Sequence, residues 1–342
     1  MLEIKSFLAY QLLYLCKVPF QRGHAMSKNI QIIINPSELG AGTRGSSLGP
    51  FAIQASARMQ GNTLFNDHSW EVLSDFNRLL DSQSAYPFAK HIDCMVDVYE
   101  GVSNAVKNHL AHDRFPLLLS GDHASAGGTL KGLKDAFPNK RIGVVWIDAH
   151  ADLHSPYTTP SGNLHGMPLA AAMGLDNLRC KKNDIDSQTL LHWKNLKSNS
   201  LEPSDLVYVG VRSTEREEDA LMAEYAIGNV SVDQLRKNGA LETTREILDR
   251  LSECDALYVS FDVDSMDPEE TSLGTGTPEP NGLLVEEARS MLVALCQSPK
   301  LIALEFVEIN PTLDNKTNKM AEVALKLLCA CTQTLQNTWK EN

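Results

Sequence analysis

No stretch of this chain is apolar for the roughly 20 residues that a membrane-spanning helix needs. The strongest candidate, from Phe7 to Cys16, runs straight into Lys17. That segment also lacks the basic start and small-residue cleavage site of a secretory signal. Cysteine is sparse: seven in 342 residues, an odd number, with no CxxC pair. This excludes a disulfide framework and a thiolate zinc site, and it points to reduced thiols in a cytoplasmic protein. Basic residues are short as well, 31 Lys and Arg against 43 Asp and Glu, for a net charge of −12. Nucleic acids and anionic membranes call for basic surfaces, so neither is an expected partner. No repeat or low-complexity linker divides the chain. Residues 1–25 are expected to be a mobile N-terminal extension, and residues 26–342 a single domain.

What is present is an alternation of apolar runs and amphipathic stretches. Residues 30–35, 116–120, 141–147, 206–210, 256–261 and 301–307 are short apolar runs, the pattern of strands buried on both faces. A helix pattern opens at Pro50, and helices are expected over 124–137, 165–173, 217–225, 242–251, 286–297 and 319–338. A further helix around 187–196 fits inside the polar stretch 175–202. The expected fold class is α/β: a three-layer α/β/α domain around a mostly parallel central sheet.

The residues that carry chemistry fall where those strands end. Residues 146–154 read Trp-Ile-Asp-Ala-His-Ala-Asp-Leu-His. On an extended chain alternate side chains share a face, so Asp148, His150, Asp152 and His154 are expected to enter one small volume. Four ionisable groups packed together need a cation to offset lost hydration and repulsion. His123, the pair Asp262 and Asp264, and Glu308 end three other strands, and open parallel sheets bind ligands beyond their carboxyl ends. Singly, each is an ordinary loop or strand-end residue. Together they make a set of imidazole and hard oxygen ligands suited to Mn, Fe, Co or Zn. Carboxylates able to bridge favour two metals, which can share a water and lower its pKa towards neutrality.

Gly121-Asp-His123, Asp148-Ala-His-Ala-Asp152 and Ser260-Phe-Asp-Val-Asp-Ser-Met-Asp-Pro268 resemble, in order, the three signatures of the ureohydrolases, the arginase and agmatinase group. The likeness runs from about residue 30 to the C-terminal helix and is closest to arginases. It implies an arginase-like fold and two Mn2+ per chain. His123, Asp148, Asp152 and Asp262 match the ligands of one ion; Asp148, His150, Asp262 and Asp264 match those of the other. Ser161-Gly-Asn-Leu-His-Gly166 is similar to the loop whose Ser161 and Asn163 bind substrate and whose His165 shuttles protons. Thr275-Gly-Thr-Pro278 and Glu308-Ile-Asn-Pro311 also match, which implies a substrate contact for Thr277 and a guanidinium partner in Glu308. A planar cation suits a fixed carboxylate fork. Two positions depart from the arginase pattern. His154 stands where arginases generally carry an Asn near the α-carboxylate, and Glu215 stands where they carry an Asp near the α-amino group. Both lie at the amino-acid end of the substrate, so His154 is assigned there and not to the metals.

The activity this resemblance implies is hydrolysis of L-arginine to L-ornithine and urea by hydroxide bridging two manganese ions. Glu308 would orient the guanidinium, Asp264 or Asp152 would pass the proton that frees the amine, and His165 would relay protons to solvent. Alternatives are a ureohydrolase for agmatine, guanidinobutyrate or formiminoglutamate, a zinc deacetylase of similar fold, and a non-catalytic binding protein. The resemblance also implies a homo-oligomer, trimer or hexamer, acting on a small guanidino substrate.

Overall fold

In the computed structural model, residues 29–341 are described; the extension expected over residues 1–25 lies outside them. Eight strands form one sheet: β1 (Asn29–Asn35), β2 (Ser69–Val72), β3 (Arg114–Ser120), β4 (Ile142–Ile147), β5 (Leu206–Val209), β6 (Gly228–Val230), β7 (Ala256–Asp262) and β8 (Leu301–Val307). Their order is β2-β1-β3-β8-β7-β4-β5-β6, and every pairing is parallel, so the sheet is wholly and not mostly parallel. The six strands expected from the apolar runs are present. The two that were not anticipated, β2 and β6, are short edge strands with no fully buried residue, and so carry no apolar run.

Alternate strand residues sort onto two apolar layers. Leu117, Leu119, Val145, Ile147, Val259, Phe261, Leu304 and Phe306 pack on one face beneath helices Gly49–Met59, Val285–Cys296 and Lys319–Glu341. Leu118, Val144, Trp146 and Tyr258 pack on the other beneath helices Ile92–Ala111, Ala126–Ala136 and Pro168–Met173. Each such side chain, fully buried, contributes roughly 1.5–3 kcal/mol. Helix Ile92–Ala111 has no counterpart among the expected elements, although its buried Ile92, Met95, Val98, Tyr99, Val102 and Val106 recur at helical spacing. Among the described residues no helix is long and apolar enough to cross a membrane.

One helix boundary bears on the site. The expected helix over 165–173 starts only at Pro168, after a tight turn over Leu164–Gly166. Proline lacks the N–H that a helix interior needs but suits the first helical turn. His165 therefore stays on a turn.

The chain passes from β3 to β4 across a gap of two strand positions, which β7 and β8 later fill. His123, Glu308, Asp262 and Asp148 thus meet beyond the carboxyl ends of four neighbouring strands.

Candidate active site

Strand β4 ends at Ile147, so residues 148–154 are not the extended face expected of them. Asp152 takes a left-handed backbone, with φ 51°. The segment is pinned from outside instead. Asp148 N–H donates to the Val209 carbonyl at 3.1 Å, and the N–H groups of Arg212 and Ser213 donate to the Ala149 carbonyl at 2.9 and 3.0 Å. The result brings Asp148, His150 and Asp152 to one cluster and sends His154 elsewhere.

His123 begins a tight turn after β3, capped by Asp122, which accepts from Ala124 N–H at 3.0 Å. Its ring stacks on Trp146 with centroids 4.0 Å apart, and its Nε2 lies 2.8 Å from Ser260 Oγ. Its Nδ1 faces three carboxylate oxygens: Asp148 Oδ2 at 3.0 Å, Asp152 Oδ2 at 3.2 Å and Asp262 Oδ2 at 3.2 Å. One ring nitrogen carries at most one proton and can satisfy only one of the three. His150 Nδ1 lies 3.0 Å from Asp264 Oδ2 and 3.6 Å from Asp148 Oδ1, so Asp148 offers one oxygen to each histidine.

The cluster is short of positive charge. Asp152 Oδ2 is buried without a hydrogen bond of acceptable geometry. Burial and the Asp148 charge push Asp152 up to about 6, and burial with Asp264 and Asp148 pushes Asp262 well above the usual carboxylate range. Divalent cations would relieve this excess of buried acceptors. Two groups sharing Asp148 fit them: His123–Asp148–Asp262 and Asp148–His150–Asp264 each bring ligand atoms within 4.8 Å of one another. The Ser260 hydroxyl engages His123 Nε2, which leaves Nδ1 as the ring nitrogen that faces the carboxylates. Ser260→Ala should weaken Mn2+ binding by about 10–100-fold, measured by titrating Mn2+ into metal-free protein. Unchanged affinity would show that the hydroxyl does not orient the ring.

Glu308 lies behind this cluster, with a left-handed φ of 66°. Non-glycine residues persist in that region only where their surroundings enforce it, and here two of them, Asp152 and Glu308, border the same site. Glu308 Oε1 accepts from His123 N–H at 2.9 Å and lies 3.1 Å from His165 Nδ1. Burial draws the His165 imidazolium down, but Glu308, Asp152 and Asp122 outweigh it and lift His165 to about 9. The backbone of His165 is set by Gly40, whose carbonyl accepts its N–H at 3.1 Å. A Cβ on Gly40 would stand 2.6 Å from Ala124 Cβ, so only glycine lets the loop approach this closely.

A cleft of about 200 Å³ opens over these groups. Every residue expected at the site lines it except Asp148 and Glu308, which are buried behind its wall. Thr277 donates to Asp264 Oδ2 at 3.0 Å, which turns its hydroxyl towards the cluster. At the far end both His154 nitrogens are engaged, Nδ1 with Thr158 Oγ1 at 3.1 Å and Nε2 with Glu215 Oε2 at 3.0 Å. His154 therefore braces Glu215 and has no free ring nitrogen to offer a substrate carboxylate. Its hydrogen bond holds Glu215 down to about 2.

Sequence reasoning passed over three residues here: Asp122, Ser260 and Glu218. Glu218 accepts from Leu153 N–H at 3.0 Å and Glu215 N–H at 3.1 Å. Burial and the Glu215 charge lift it to about 9. Its signal was legible, because an acid three residues after a helix-capping position is the capping-box spacing. His154, Glu215 and Glu218 form a third group within metal-ligand reach. Both Glu218 oxygens are taken by backbone N–H groups, however, and both nitrogens of the ring are occupied, so this group is polar scaffolding.

The family model described as "Arginase family" matches residues 28–333. An arginase of Bacillus subtilis (strain 168) is 31% identical over 313 residues, covering 89% of this chain and 97% of that protein. The crystal structure of an Entamoeba histolytica arginase in complex with L-ornithine superposes with a TM-score of 0.76 at 26% identity, covering 90% of this chain and 98% of that one. Formimidoylglutamase from Bacillus subtilis has a TM-score of 0.68 at 18% identity, covering 97% of this chain and 98% of that one, a likeness of fold alone. With the three motifs gathered at one cleft and a family match spanning nearly the whole chain, this protein belongs to the arginase family of metal-dependent amidine hydrolases.

Proposed function

We propose that the chain hydrolyses L-arginine to L-ornithine and urea, with two Mn2+ per chain. The observation that carries this reading is one cleft with a cation-deficient His and Asp cluster at its floor and an ionised Glu215 at its far end. A guanidinium at one end of a substrate and an ammonium at the other match that arrangement. His123, Asp148, Asp152 and Asp262 would hold one ion, and Asp148, His150, Asp262 and Asp264 the other; the pair would supply a water acidified towards neutral pH.

The chain's own residues supply the rest. Glu308 is the fork for the guanidinium. Its Oε1 serves His165 here, but a planar, permanently charged guanidinium is the stronger partner. Substrate pairing therefore frees His165 Nδ1 to exchange protons with solvent along the cleft. Asp264 is held by the Ala149 N–H and the Thr277 hydroxyl, whereas Asp152 Oδ2 has no hydrogen bond. Either would take the proton given up by the attacking water and pass it to the amine as the C–N bond breaks. Ser161 and Asn163 face the carboxylate end, and Glu215 takes the ammonium.

A second reading, hydrolysis of another guanidino compound, is favoured by one observation: the His154 ring spends part of the Glu215 charge. Urea release from arginine, agmatine and guanidinobutyrate by Mn2+-loaded protein separates the two, with formamide release from formiminoglutamate and acetate release from an acetylpolyamine followed alongside. Arginine is expected to give the highest kcat/KM. Turnover of agmatine without arginine would replace the first reading with the second.

A further inference from the structure

We propose that Lys90 is the counter-charge that makes this cleft select guanidino substrates bearing a carboxylate over those that end in an amine alone. The inference rests on the guanidino-hydrolase reading above and adds a residue that no motif marks.

An incoming carboxylate meets Glu215 on the cleft wall, whereas the charge of Asp152, Asp262 and Asp264 would be offset by the ions they are proposed to hold. Like charges repel across such a low-dielectric cleft, so a substrate carboxylate needs a cation to hold it. His154 has no free nitrogen. Arg212, beside Ser213 on the wall, spends its guanidinium on the backbone carbonyls of Gly210, Asp264, Glu279 and Pro280. Arg44 turns its guanidinium to the Leu80 carbonyl.

Lys90 is delivered to the lip by a built turn. Its N–H donates to the Gly162 carbonyl at 2.8 Å, and its Nζ donates to Asn163 Oδ1 at 2.9 Å. Gly162 has φ 75°, and a Cβ there would stand 2.0 Å from the Pro87 carbonyl oxygen, so the two segments interlock. The turn itself is closed by His91 N–H on Ser84 Oγ at 2.9 Å and by the fully buried Ala89. With its oxygen taken by Lys90, Asn163 keeps its amide N–H groups as donors. Ser161 Oγ accepts from Asn163 N–H at 3.1 Å, which leaves its own proton to donate. Lys90, Asn163 and Ser161 thus put one charge and two neutral donors side by side at the cleft, whose lining also carries Glu215.

The test compares Lys90→Met, Lys90→Gln and Lys90→Arg with wild type, all loaded with Mn2+, on arginine and agmatine. An ion pair at a partly exposed lip predicts that KM for arginine rises about 3–10-fold in Lys90→Met and Lys90→Gln. The value of kcat should move less than about twofold, KM for agmatine should stay put, and Lys90→Arg should behave as wild type. Added salt should raise the KM for arginine more steeply in wild type than in Lys90→Met, which keeps only the Glu215 pair. If Lys90→Gln keeps the wild-type KM, Lys90 only positions Asn163 and the inference fails. It also fails if both substrates shift equally. A wild type that prefers guanidinobutyrate overturns the arginine assignment alone, and the Lys90 comparison is then read on guanidinobutyrate. A wild type that cleaves agmatine only, or none of the three, sinks both.

Discussion

Asp148→Ala is expected to lose metal and turnover together, with urea release from arginine falling on the order of 10³-fold or more, the scale of removing a preorganised electrostatic group. Asp148 is common to the two His and Asp triads of the cluster, and with Asp262 it would be shared by the two ions. Its Oδ2 lies 3.0 Å from His123 Nδ1 and accepts from Trp146 Nε1 at 2.9 Å, while its Oδ1 accepts from His150 N–H at 2.8 Å. Alanine removes a ligand from each group at once and leaves both histidines without their common partner. Metal removal from the wild type offers a parallel reading. Mn2+ at 100 times its dissociation constant stabilises the folded state by about 2.7 kcal/mol, a few degrees in Tm for a chain of this length. The Mn2+-dependent rise in Tm should be present in wild type and absent in Asp148→Ala. Elemental analysis should fall from two Mn per chain towards none. A variant that keeps two metals and normal turnover would remove Asp148 from the metal centre.

His165→Ala should keep its metal and lose kcat by about 10²–10⁴-fold, the usual contribution of a positioned acid or base. No carboxylate of the metal groups pairs with His165; its partner is Glu308 at 3.1 Å, and its ring reaches the cleft wall. Added imidazole should restore part of the rate, because the ring it replaces borders the cleft. A pH profile supplies a readout independent of turnover. His165 is raised from 6.5 to about 9 in the folded, metal-free protein. Its pairing with Glu308 therefore adds stability that is fully present below pH 6.5 and is lost as pH rises through about 9. Thermal unfolding of metal-free His165→Ala should lack that alkaline limb. Unchanged kcat would take His165 out of the mechanism, and lost metal would make it a structural support instead.

How much of this was legible in sequence differs from residue to residue. The six apolar runs became strands because a parallel sheet covered on both faces tolerates no polar alternation, and that rule reads directly from composition. Edge strands β2 and β6 obey no such rule. The cluster of Asp148, His150 and Asp152 was legible as a spacing, but not for the reason the spacing suggests. Strand β4 stops before Asp148, and contacts from Val209, Arg212 and Ser213 shape the turn. His154 shows the cost of that difference: it keeps the two-residue period and leaves the cluster, because Glu215 and Thr158 lie where the chain turns away. Lys90 carries no motif, and its position depends on a turn that interlocks with a loop some 70 residues later.

By itself the sequence determined the fold class, the ordered motifs and the kinds of ligand on offer. Each is a local property: a run of apolar residues, a two-residue spacing, a set of imidazoles and carboxylates. Tertiary structure decided which of those groups meet. Strands β7 and β8, late in the chain, enter between β3 and β4 and carry Asp262, Asp264 and Glu308 to His123 and Asp148. The far end of the cleft depends likewise on where the helix start carrying Glu215 and Glu218 and the separate turn carrying Lys90 arrive. Local pattern specifies what a strand end can do. Non-local packing sets its partners, because distances of 3 Å between residues over 100 apart in sequence exist only once the sheet has closed around them.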